Sequence, residues 1–327
     1  MEQGTACFGP DPGPNLRIFG QIMKLFKDKN SSSTFEILAR TRNRFNEIYV
    51  VQNGHQREMW FKGGGNFFLQ SRLDMETRKS PVLIYSKMML ASLLFQGFPK
   101  RILILGLGGG SIPNFLRHYF PETHVDVVEV DPDVIELSEK FFYLQESENY
   151  KIHAADARIF IQSQIGKNSY DLIFLDAFKS GSVPFHLKTG EFYREIRDVL
   201  SPEGVVASNL YGKSNLKKSG DRSTFGSVFR GLYFFEDPDR VATVLIATNQ
   251  KRLWSEEDIA KAAAGFQLKL PISMPALAAM YCPDLLDHSS AEKFVDDFEA
   301  KDFQKAVEKN NTALPGSQLK YPIKSHS

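Results

Sequence analysis

Three carboxylates and a glycine run carry the chemistry that can be read from this sequence. Residues 106–110 are Gly-Leu-Gly-Gly-Gly, placed directly after the apolar run 102–105 and before Phe115 and Leu116 open a helical pattern. A turn without side chains at Gly106, Gly108, Gly109 and Gly110 lets a ligand lie against backbone, and the helix that follows points free N–H groups at the same place. Glu129 ends the next apolar run about 20 residues on, where a carboxylate can take both hydroxyls of a ribose. Asp131 precedes Pro132 and is expected to cap a helix instead. Asp156 follows His153-Ala154-Ala155 and stands before another helical run. Its carboxylate can accept from an exocyclic amino group such as that of adenine, with the neighbouring backbone N–H of Ala157 serving a ring nitrogen. Capping the helix is an equal alternative for Asp156, and the two roles are compatible. Asp176 ends the apolar run 172–175, where it can hold a cationic amine and take its proton as the amine becomes a nucleophile. The turn lacks the last glycine of a dinucleotide fingerprint, since Ser111 stands at that place.

These acids meet only if the strands carrying them are parallel, because a parallel sheet gathers its carboxyl ends along one rim. Runs at 125–130, 151–154 and 170–176 read as strands, alternating with helical patterns at 133–142, 157–165 and 190–200. That alternation predicts an α/β protein with a Rossmann-like, doubly wound sheet and helices on both faces. A further strand at 205–210 follows the turn Ser201-Pro202-Glu203-Gly204. A hairpin, 232–236 and 241–248, is joined through Asp237-Pro238-Asp239 and adds an antiparallel edge. Upstream, short runs at 35–38, 47–51, 57–61 and 66–70 are separated by Asn53-Gly54 and Gly63-Gly64-Gly65, which predicts a small antiparallel β unit. A helix is expected over 82–95, with Tyr85, Met88, Met89 and Leu93 on its apolar side.

The chain is therefore expected to divide into a flexible segment 1–33, a β-rich unit with its helix at 34–98, a nucleoside-binding catalytic domain at 99–250, and a helical extension and tail at 251–327. Residues 177–190 carry Gly181 and Pro184 without a clear period and form a candidate lid. His186 in that loop has no serine or cysteine spaced to become a nucleophile, so a structural role is expected. Beyond 285 the chain is charged and shows no pattern that suggests chemistry.

At 327 residues with a net charge of +1, the chain has no electrostatic footprint for nucleic acid. Cys7 and Cys282 lie far apart and no His, Cys and Asp cluster has ligand spacing, so no metal is expected. No apolar run is long enough to span a bilayer and no secretory signal is visible, which predicts a soluble cytoplasmic protein. Residues 16–27 place apolar side chains at helical spacing with lysines between them. Packing on the protein itself or on a partner subunit is expected there ahead of a membrane surface.

Over residues 34–250 these features resemble the spermidine synthase-like branch of the class I AdoMet-dependent methyltransferase superfamily. The likeness rests on Leu69-Gln70 at the end of the β leader, Tyr85, the Gly-Leu-Gly-Gly-Gly turn, Glu129-Val130-Asp131, Asp156, and Asp176-Ala177-Phe178. It extends to Pro-Phe-His-Leu at 184–187 and Thr-Gly-Glu-Phe at 189–192. The resemblance implies adenosine recognition by Glu129 and Asp156, donor contacts from Gln70 and the glycine turn, and catalysis assisted by Asp176. It also implies an acceptor site including Tyr85, Asp176 and Lys179. The implied co-substrate is S-adenosylmethionine or its decarboxylated form, with no metal, a small-molecule amine acceptor and a homodimer built partly through the leader. Three positions depart from the aminopropyltransferase pattern: Ser111 where an acid is usual, Lys179 in place of a second acid three residues after Asp176, and Tyr85-Ser86-Lys87. A lysine there would repel a polycationic acceptor, and the missing acid would tolerate the carboxylate of intact AdoMet. Aminopropyl transfer leads, methyl transfer on the same fold is the alternative, and a non-catalytic nucleoside-binding homologue stands third.

Overall fold

The computed structural model describes residues 35–179, 183–210, 218–239, 241–283 and 291–312. The segment 1–33, with Cys7 and the amphipathic stretch 16–27, lies outside the described residues, as does Gly181.

The alternating runs of the leader form a four-stranded antiparallel sheet in sequential order: β1 (Phe35–Arg42), β2 (Glu47–Asn53), β3 (Gln56–Gly63) and β4 (Asn66–Asp74). Alternation sends Tyr49, Val51 and Trp60 to one face, and Ile48, Val50, Met59 and Phe61 to the other, where they join the main core. The helix expected over 82–95 is instead three pieces, α1 (Ile84–Met89), a 3₁₀ turn Leu90–Ser92 and α2 (Leu93–Gln96). The Ser92 hydroxyl donates to the Met89 carbonyl at 2.7 Å, occupying an acceptor of the helical ladder and tightening the turn.

The main sheet has seven strands in the order β10-β11-β9-β8-β5-β6-β7. Its first strand, β5 (Arg101–Leu105), is followed by α3 (Ser111–Tyr119), β6 (His124–Glu129), α4 (Pro132–Phe142), β7 (Tyr150–Ala154), α5 (Ala157–Gln164) and β8 (Tyr170–Leu175). Then come α6 (Gly190–Asp198), β9 (Leu200–Asn209), α7 (Lys218–Gly226), β10 (Gly231–Glu236) and β11 (Thr243–Thr248). β5 to β9 are parallel, while β11 is antiparallel to both β9 and β10. The expected turn at 201–204 sits inside β9 as an excursion. Pairing with β8 steps from Tyr170 against Leu200 to Leu172 against Val205, so the residues between loop out.

A sheet covered on both faces needs strands apolar at every position, and β5 shows why the run 102–105 is unbroken. Ile102 and Ile104 pack into the core shared with α1 to α4, and Leu103 and Leu105 into the core under α5, α6 and α7. Strand order reverses between β5 and β8, opening a crevice at their carboxyl ends.

The chain continues through α8 (Glu256–Ala264), started by a capping box of Ser255 and Asp258, and α9 (Met274–Ala278). The stretch beyond 285, patternless in the sequence, is packed against the main domain where it is described. Residues 291–312, ending in α10 (Phe303–Asn311), lie across α5 and α6. The buried Arg158 guanidinium is forked between Asp296, at 2.8 and 2.7 Å, and Glu195, at 2.8 and 2.9 Å. A buried guanidinium is tolerated only when paired in this way, so Arg158 ties the C-terminal segment to α5 and α6. No helix among the described residues is long and apolar enough to cross a membrane.

Candidate active site

The crevice at the strand reversal holds a cavity of about 240 Å³. Its floor is the end of β5. Gly106 takes φ +101°, its N–H donates to the Val128 carbonyl at 2.8 Å, and Asp176 N–H donates to the Leu105 carbonyl at 2.9 Å. The two strand ends are so close that a Cβ on Gly106 would lie 2.4 Å from the Asp176 carbonyl oxygen. Gly106→Ala therefore meets both a backbone clash and a disfavoured φ, and is expected to cost more than about 2 kcal/mol. A thermal melt no more than a degree below wild type would contradict this.

The other glycines divide by neighbour. Gly108 lines the cavity, whereas Gly109 and Gly110 do not: added Cβ atoms would meet Phe142 at 2.8 Å and Leu144 at 2.4 Å. Of the four glycines expected to contact the donor, Gly106 and Gly108 line the cavity. The other two are small because apolar side chains press on the turn.

Glu129 sits at the end of β6 and is gripped by backbone. One carboxylate oxygen accepts from Leu107 N–H and the other from Asp131 N–H, each at 3.0 Å. Burial pushes this carboxyl up to about 7, against the pull of those amides. Asp131 caps α4, accepting from Asp133 N–H, and receives the Asn43 and Asn46 amides of the β1–β2 turn at 2.6 and 2.9 Å. Those contacts bring Phe45 and Asn46 to the cavity wall.

Asp176 follows β8 on the opposite side of Gly106, and both acids open onto the same cavity. Asn209, at the end of β9, donates to Asp176 Oδ1 at 3.0 Å. Burial lifts this carboxyl to about 7, while the hydrogen bond from Asn209 and the nearby Tyr85 hydroxyl restrain the rise. The Tyr85 hydroxyl donates to the Gln70 carbonyl at 3.1 Å, and its own pKa is raised by burial and then by the Asp176 charge. Gln70 and Tyr85, named by resemblance, therefore stand at the same wall.

Asp156 caps α5 through Arg158 N–H and Ile159 N–H, and its other oxygen accepts from His186 at 2.9 Å and Asn311 at 2.8 Å. Burial works to raise this carboxyl, but the bonds from His186 and Asn311 hold it below the usual range. His186 is fully buried and braces Asp156. Ala157 also lines the cavity, and the candidate lid contributes Phe178, Lys179, Pro184 and Leu187.

Lys179, expected in the acceptor site, lines the cavity and also reaches the C-terminal segment. Its ammonium donates to the Asn310 carbonyl at 2.7 Å and to the Thr312 carbonyl, at the end of α10. Helix C-termini attract cations, which accounts for these two bonds to the end of α10. Burial lowers its pKa to about 8, so the ammonium remains mostly charged at neutral pH.

Asn209 was open to discovery from the rule that found the acids, since it ends a parallel strand. Asn311 had no sequence signal. Among the described residues, no group of three or more His, Cys, Asp or Glu side chains could hold a metal ion.

The spermine/spermidine synthase domain matches residues 82–219. A polyamine aminopropyltransferase of Chromobacterium violaceum is 31% identical over 191 residues, covering 58% of this chain and 69% of that protein. The chain belongs to the spermine/spermidine synthase family. A polyamine aminopropyltransferase of Vibrio vulnificus is 40% identical over 194 residues, which is 57% of this chain and 64% of the relative, so the match spans under two thirds of that protein's length. Among solved structures, a probable spermidine synthase from Corynebacterium glutamicum superposes with a TM-score of 0.65 at 18% identity, covering 81% of this chain and 98% of that one. The family's methyltransferase-type fold accounts for the parallel sheet and its antiparallel edge, and the matched stretch contains the glycine turn and all three acids.

Proposed function

We propose that this protein transfers an aminopropyl group from decarboxylated S-adenosylmethionine to a small amine. The observation that carries the reading is that Glu129 and Asp176 open onto one cavity on either side of the Gly106 backbone. Glu129 would grip the ribose hydroxyls of the donor, the glycine floor would let the nucleoside lie close to backbone, and Asp176 would face the sulfonium end. The acceptor nitrogen attacks the carbon next to the sulfonium, the carbon–sulfur bond breaks with its electron pair passing to sulfur, and methylthioadenosine leaves. The proton released from nitrogen goes to Asp176. Positioning and proton removal supply the acceleration, and neither needs a metal ion. A cytoplasmic homodimer joined partly through the β1–β4 sheet belongs to the same proposal, and sedimentation at a mass near one chain would contradict it.

The pKa of Asp176 gives the proposal a pH signature. The group must be ionised to accept a proton, so kcat/KM is expected to rise with pH up to about 7 and then to lose this dependence. A profile flat between pH 5.5 and 7.5 would contradict the assignment.

Methyl transfer from intact AdoMet is favoured by one observation. Ser111 occupies the position usual for an acid, and its hydroxyl donates to the Arg72 carbonyl at 3.2 Å. Calorimetry with both donors separates the readings. Tighter binding of the decarboxylated donor is expected, and preference for the carboxylated one would replace aminopropyl by methyl transfer.

A further inference from the structure

The carboxylate expected to read the base of the donor has no acceptor site left. A carboxylate offers about four lone-pair positions. Asp156 spends two on the amides of Arg158 and Ile159, at 2.9 and 3.1 Å, and two on His186 and Asn311, at 2.9 and 2.8 Å. It is 7% exposed, and His186 behind it is fully buried. An exocyclic amino group could bond this carboxylate only by displacing one of those donors.

Asn311 supplies what Asp156 no longer can. A carboxylate only accepts, so the atom of Asn311 facing it must be Nδ2, which fixes the orientation of the carboxamide. The oxygen is then left as an acceptor beside the same carboxylate, and among the described residues no donor reaches it. Asn311 lines the cavity together with Asp156 and Ala157. Its backbone is held on both sides, since Lys179 donates to the carbonyls of Asn310 and Thr312. The position is thus set from within the site, by a residue three places after Asp176.

We infer that Asn311 Oδ1 reads the exocyclic amino group of the donor's purine, with Asp156 as the residue that positions the Asn311 carboxamide. The C-terminal segment thereby becomes part of the specificity machinery, and Ala157 N–H is left for a ring nitrogen. The inference rests on the nucleoside reading above and adds the group that selects a 6-amino over a 6-oxo purine.

Binding of 5′-methylthioadenosine and 5′-methylthioinosine to the full chain, measured by calorimetry, tests it. Wild type is expected to prefer the 6-amino nucleoside by at least about tenfold. Asn311→Ala should weaken the 6-amino nucleoside by about 10- to 100-fold and shift the 6-oxo nucleoside by less than about threefold. Asp156→Asn should lower the same preference. Near-equal affinities in wild type, equal losses for both nucleosides in Asn311→Ala, or tighter binding in that variant would each overturn the inference. The last result would mark Asn311 as a plug of the site. A preference untouched by Asp156→Asn would remove the positioning role. If wild type binds neither nucleoside, the nucleoside reading fails and this inference with it; if wild type discriminates and Asn311→Ala does so equally well, the inference alone fails.

Discussion

Asp176→Asn is expected to lower kcat by about 10²- to 10⁴-fold, the range that a positioned general base contributes. The side chain keeps its volume, and its oxygen can still accept from Asn209, so the packing at the end of β8 survives. Only the capacity to take a proton is removed. Affinity for methylthioadenosine should stay within about threefold of wild type, because binding and chemistry part company when a group acts only in the transition state. The rise of kcat/KM up to about pH 7 should vanish in the same variant. An active Asp176→Asn enzyme with an unchanged pH profile would show that another group takes the proton.

Glu129→Gln is expected to weaken methylthioadenosine by about 10²-fold, through loss of charged hydrogen bonds to the ribose. Both carboxylate oxygens of Glu129 accept from backbone N–H groups, of Leu107 and of Asp131. An amide has one oxygen, so its NH₂ must face one of those donors and loosen the glycine turn. The variant should therefore also melt a few degrees lower, consistent with about 1–2 kcal/mol lost. A 2′-deoxy nucleoside separates the effects: its affinity should fall less in Glu129→Gln than that of the ribonucleoside. Equal losses would mean that Glu129 serves only the turn.

The three acids were legible in the sequence because each ends an apolar run, and a parallel sheet brings such ends together whatever the loops do. The same periodicity predicted the strands of both sheets. The helix at 82–95 was misread because Ser92 looks harmless in an apolar run, yet its hydroxyl competes for a backbone carbonyl. At Gly109 and Gly110 an added Cβ would meet Phe142 and Leu144, more than 30 residues further along the chain, and such neighbours cannot be seen in the turn's own sequence. Asn311 was not legible at all. It meets Asp156 across a separation of 155 residues and comes from a stretch with neither periodicity nor a motif. What brings it there is a set of contacts between distant residues, Arg158 with Asp296 and Lys179 with the carbonyls of Asn310 and Thr312, and no periodicity announces such pairs in a sequence.

A crystal structure with methylthioadenosine bound tests the central claim most directly. The ribose hydroxyls are expected within hydrogen-bond distance of Glu129, the nucleoside lying over Gly106 with its sulfur toward Asp176. A nucleoside seated elsewhere, or seated here with its sulfur end turned away from Asp176, would contradict the account.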